Sequence, residues 1–81
     1  MIDITLQPIP VMTGSRDHEG RLVLADGQLA AVLVRLSDEV HGEERGGWFL
    51  ETGFGRCDGT EHPVFESLDE AEAWVRRRIE R

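Results

Sequence analysis

The side chains of this chain whose types could do chemistry are His18, His41, His62 and Cys57. Imidazole and thiolate are the usual ligands of zinc, and structural zinc sites take them at short spacings such as C-x2-C or H-x3-H. No such spacing occurs and all four residues lie in polar segments, so they read as solvated loop residues and no metal is expected. Histidine is the side chain that changes charge near neutrality, which makes His18, between Asp17 and Glu19, a place where pH could act. Cys57 follows Arg56, which favours its thiolate, and precedes Asp58, which opposes it. A thiol nucleophile needs a positioned base, and His62 is the one candidate close by in sequence. The pair supports an alternative reading, a small ligand-binding or thiol-dependent protein with a site near Cys57 and His62. Its spacing is not diagnostic, so no catalytic residue, cofactor or enzymatic activity is expected.

Two further segments invite a binding function. Gly53-Phe54-Gly55-Arg56-Cys57-Asp58-Gly59 is glycine-rich. It does not match G-x-G-x-x-G, and no helix follows at once to aim its amides at a phosphate, so it reads as a strand end and turn. Arg76, Arg77, Arg78 and Arg81 cluster at the C-terminus. Together with Arg21 and Arg35 they support a second alternative, a nucleic-acid-binding sheet-plus-helix module. The phrase Phe65-Glu66-Ser67-Leu68-Asp69-Glu70-Ala71 resembles the strand-to-helix junction of small DNA-binding domains of the integrase N-terminal type. Those domains read DNA with basic and aromatic residues on the sheet. The strands here carry few bases, and the chain is not assigned to that family. The charge also argues against nucleic acid. Sixteen acids against nine bases give −7, a field that repels phosphate backbones. Asp69, Glu70, Glu72 and Glu80 balance the four C-terminal arginines, so the net charge resides in residues 1 to 66. All nine bases are arginine, the codon bias expected of a GC-rich bacterial genome.

The elements that position these residues are legible from periodicity. At 81 residues the chain is expected to form a single domain, 1–81. One cysteine allows no internal disulfide and points to a reducing compartment. The start Met1-Ile2-Asp3-Ile4 does not read as a secretion signal, and no apolar run approaches the roughly 18–20 residues of a membrane span. The expected protein is therefore acidic, soluble and cytoplasmic. Ile2, Ile4 and Leu6 alternate with polar residues as in a half-buried strand. Pro8 and Pro10 break that strand or confine it to an edge, and Ile9, Val11 and Met12 could extend it. Gly14 to Gly20 and Ser37 to Gly47 read as loops. Trp48 to Phe54 reads as a strand with Trp48, Leu50 and Phe54 on one side and Phe49 on the other. Ser67 and Glu70 form a capping box before an apolar helical stripe of Leu68, Ala71, Val75 and Ile79 flanked by Trp74. Acids begin this helix and arginines end it, as the macrodipole favours.

The most informative stretch is Leu29 to Leu36, which is apolar at both parities. A strand with two apolar faces needs cover on both. Asp26-Gly27 predicts a type I′ hairpin turn. Regular pairing from that turn places Leu22, Leu24, Leu29, Ala31 and Leu33 on one face. Val23, Ala25, Ala30, Val32, Val34 and Leu36 then form the other. The expected fold is α+β, an antiparallel sheet of three or four strands with one C-terminal helix packed on one face (β-β-β-β-α or β-β-β-α). The helix is expected on the Val/Ala face. Leu22, Leu24, Leu29 and Leu33 are then the expected interface of a non-enzymatic protein-interaction module, with a second copy or another protein as partner. A competing expectation is that residues 9–12 fold back and cover the second face themselves.

Overall fold

The structure is a computed structural model and describes residues 2–14, 18–36 and 46–80. Parts of both expected polar loops, together with His41 and Arg81, lie outside the described residues. The fold is α+β, an antiparallel sheet of five strands followed by one C-terminal helix. The strands are β1 (Ile4–Pro10), β2 (Glu19–Ala25), β3 (Gln28–Arg35), β4 (Trp48–Gly53) and β5 (Val64–Phe65), and the helix is α1 (Leu68–Glu80). They follow one another across the sheet in chain order as a meander. The strand beyond the three or four expected is β5, two residues long and paired through Trp48↔Phe65 and Phe49↔Val64. Among the described residues no helix is long and apolar enough to cross a membrane.

The β2–β3 hairpin forms as the Asp-Gly signal predicts. Asp26 and Gly27 both take positive φ, 50° and 82°, the left-handed pair that a type I′ turn requires. The turn is tied to the first strand by two bonds. The Asp26 amide donates to the Asp3 carbonyl at 2.8 Å, and the Asp3 amide donates to Asp26 Oδ1 at 3.0 Å.

Pro8 and Pro10 do not end β1, which runs through both of them. The Val11 amide donates to the His18 carbonyl at 2.8 Å, and the Asp3 carbonyl accepts from Asp26. Odd-numbered residues of β1 therefore point their backbone groups at β2, and the proline nitrogens face the outer edge. Proline is tolerated there because it removes no ladder bond.

The register departs from regular pairing at two places. Ala25 pairs with Gln28 and Leu24 with Leu29, as predicted, but Val23 pairs with Ala31 and Leu22 with Val32. Ala30 is the extra residue of a β-bulge. Across the next ladder Leu33 pairs with Leu50 and Val32 with Thr52, which leaves Glu51 as the extra residue. A slip of one residue exchanges the two faces of a strand. Beyond Ala30 the expected faces of β3 are therefore reversed. Ala31 and Leu33 join Val23 and Ala25, while Val32 and Val34 join Leu22 and Leu24.

Helix α1 covers the Val23 face. The Glu70 amide donates to Ser67 Oγ at 3.1 Å, which caps its start. The core joins Val23, Ala31 and Leu33 to Trp48, Leu50, Cys57, Phe65, Ala71 and Val75, with Leu68, Trp74 and Ile79 packed against it. Leu33, Leu50, Val23 and Val75 are its largest fully buried side chains. Burying each is worth about 1.5–3 kcal/mol, which docks a helix too short to be stable alone. The far end of α1 is fastened by side chains. Arg76 Nη1 donates to the Ile2 carbonyl at 2.6 Å, Arg78 Nε to the Arg56 carbonyl at 3.1 Å, and Arg56 Nη1 to the Ile79 carbonyl at 3.3 Å.

Candidate functional site

The strand opposite the helix side presents its other parity to the second face of the sheet. On β2 this places Leu22 and Leu24 there, on β3 Leu29, Val32 and Val34, and on β4 Phe49. Val64 follows on β5, opposite Phe49. On β1 the same face carries Thr5, Gln7 and Ile9, opposite Leu24, Leu22 and Gly20. Among the described residues no helix or strand crosses this face. Leu22, Leu24, Val32, Phe49 and Val64 remain half-buried and Leu29 is exposed. The expected covering by residues 9–12 is confined to one corner. Val11 leans over Gly20, where a Cβ would come within 2.5 Å of Val11 Cγ2 and 2.8 Å of the Ile9 carbonyl oxygen. Val34 is buried at that end, whereas Met12 is fully exposed.

Three of the four expected interface residues, Leu22, Leu24 and Leu29, lie together on the open face. Leu33 does not. It is completely buried under the helix, because the Ala30 bulge turns the following residues over. Val32 and Phe49 occupy positions on the open face that regular pairing did not assign to it. The signal for Phe49 was its parity opposite to Trp48 and Leu50. Nothing in the sequence marked Ala30 as a bulge.

Cys57 and His62 are on opposite sides of the sheet. Cys57 closes a 3-10 turn (Gly55–Cys57) and belongs to the core beneath the helix, 2% exposed. Burial pushes its thiol pKa up, and the Arg78 guanidinium pulls the other way more weakly. A buried thiol with a raised pKa is a poor nucleophile. His62 instead stacks on Phe49, with ring centres 5.8 Å apart and planes 19° from parallel. Its Nδ1 lies 2.8 Å from the Leu50 carbonyl oxygen. An acceptor there places a proton on Nδ1 of the neutral ring and leaves Nε2 as the open nitrogen. The thiol and the imidazole are thus not brought together. His18 is exposed near the far end of β1. Among the described residues no three His, Cys, Asp or Glu side chains cluster as a metal site would require.

The arginines are engaged within the chain. Arg21 stacks over Trp48 at 4.9 Å and pairs with Glu19 at 3.3 Å, and Arg35 lies 3.7 Å from the same carboxylate. Arg78 stacks over Trp74 at 4.9 Å, and Arg76 pairs with Glu72 at 3.2 Å. These contacts place Arg21 and Arg35 on the helix side of the sheet, and two of the four helix-end arginines, Arg76 and Arg78, also fasten α1 through the Ile2 and Arg56 carbonyls. Compared with known proteins, the chain matches no family model, no curated protein and no solved structure.

Proposed function

We propose that this chain is a non-enzymatic protein-interaction module that associates with a second copy of itself through the open face of its sheet. The observation that carries the reading is the row Leu22, Leu24, Leu29, Val32 and Phe49, apolar on three adjacent strands and covered by no described element. The route of association follows from the edges. Pro8 and Pro10 blunt the outer edge of β1, and β5 offers only two residues. Both are devices that prevent edge-to-edge pairing, so contact through the face is favoured over strand addition. A long side of a body measuring 38 × 22 × 21 Å is comparable with the about 800 Å² that each partner contributes to a standard interface. The apolar patch of Leu22, Leu24, Leu29, Val32 and Phe49 can meet its own copy about a two-fold axis, the commonest symmetry of soluble oligomers.

Light scattering on a size-exclusion column tests the proposal. At tens of micromolar the mass should be about twice the 9.1 kDa of one chain, as expected of a dimer with a Kd of about 1 μM, or roughly −8 kcal/mol. Leu24→Glu should return the mass to that of a monomer while leaving the circular dichroism spectrum unchanged. A wild-type monomer at that concentration overturns the reading.

A further inference from the structure

Resting on the proposed self-association, we infer that His62 makes the open face pH-sensitive, with association lost as the ring takes up a proton. The ring lies flat on Phe49, the largest apolar side chain of that face. Its Nδ1–H is spent on the Leu50 carbonyl at 2.8 Å, which holds the ring in place. The incoming proton must then go to Nε2, on the far side of the ring from the sheet backbone. Through its stack on Phe49 the ring borders the face that a second copy would cover. The imidazolium stays where it is, because stacking on an aromatic ring and donation to a carbonyl both suit a cation. The charge is therefore not swung away, and a two-fold axis places it in the interface twice. Burying an unpaired charge is unfavourable.

The segments against the ring are β4 and the loop leading into β5. Their titratable groups are Glu51, the exposed extra residue of the β4 bulge, and Glu61, exposed beside His62. Neither forms an ion pair with the ring, and among the described residues no carboxylate is paired with it. Phe49, Leu50 and Val64 supply no charge. Lowering the pH also makes an acidic chain less negative and so reduces the long-range repulsion between two copies. That effect acts in the opposite direction, and it is shared by the wild type and the variant.

Sedimentation equilibrium at moderate salt on the wild type and His62→Gln, between about pH 8 and about pH 5.5, separates the two effects. Glutamine keeps a donor for the Leu50 carbonyl but cannot become charged. The wild-type Kd should rise roughly tenfold or more across this window, because each copy contributes one His62 ring to the face and imidazole is the side chain whose charge changes near neutrality. His62→Gln should stay constant or tighten slightly. Matching pH profiles for the two proteins overturn the switch while leaving self-association intact. A wild type that is monomeric at about pH 8 overturns both. Circular dichroism at each pH confirms that the fold is unchanged.

Discussion

The two faces of this sheet are made from much the same residue types and meet different fates. The helix side takes Val23, Ala31, Leu33 and Leu50 to near-complete burial. The open side leaves Leu22, Leu24, Val32 and Phe49 half-buried on the same three strands. Hydropathy therefore does not distinguish a covered face from an open one. What distinguishes them is which face the one α-helix among the described residues reaches, and α1 reaches one. Ala71 and Val75 of its stripe are fully buried and share one core with Ala31 and Leu33. The helix side also holds the polar fastenings, with Arg21 over Trp48 and Arg78 over Trp74. The open side has one polar ring, His62, and it is stacked on an aromatic side chain. A face bearing one titratable group among apolar neighbours is suited to contact that can be reversed.

Matched truncations give the sharpest test of this difference. Leu33→Ala should cost about 2–5 kcal/mol, the range for a buried leucine that leaves a cavity, read as a lower urea midpoint. Leu22→Ala, at dilutions where the chain is monomeric, should cost about 1 kcal/mol, near the centre of the distribution for point mutants. Equal losses would mean that both faces are core and would break the comparison. The next effect belongs to the helix side alone. The buried Cys57 thiol has a raised pKa in the folded chain. The stability it contributes is then present below the ordinary thiol value of about 8.5 and is lost as pH rises through the folded value. The chain contains neither lysine nor tyrosine, so besides the terminal amine Cys57 is the only group titrating in this window. The urea midpoint should fall between about pH 8 and pH 10, and Cys57→Ala should flatten that fall. A wild-type profile already flat would place the thiol outside the core. The smallest effect is at the cap. Ser67→Ala should cost about 1 kcal/mol by thermal unfolding and leave the mass measured by light scattering unchanged. A change in mass would tie the helix to the interface and undo the separation of the two faces.

Much of the fold was legible because its signals are local. Asp26-Gly27 declared the turn through its backbone requirement, Ser67 with Glu70 declared the helix start, and Pro8 with Pro10 allowed β1 only at an edge. Strand β5 was not legible, since a two-residue strand has no periodicity to read. The open face was legible in part. Leu22, Leu24 and Leu29 lie close to the turn, where pairing is fixed by turn geometry. Leu33 lies beyond Ala30, and one unpaired alanine was enough to carry it from the expected interface to the centre of the core. Cys57 and His62 were paired by nearness in sequence, but the turn at Cys57 packs into the core under the helix while His62 stacks on Phe49 of the open face.

The sequence by itself determined the elements, the hairpin turn, the helix cap and the presence of two apolar faces, because each depends on residues within a few positions of one another. Only the tertiary structure decided which residues of β3 belong to which face. That choice depends on where a bulge relieves the pairing of three strands, and on the gain from burying Leu33 against Leu50 and Val75 under the helix. Contacts between residues 17 or more apart set that balance, and alternation along one strand carries no record of it.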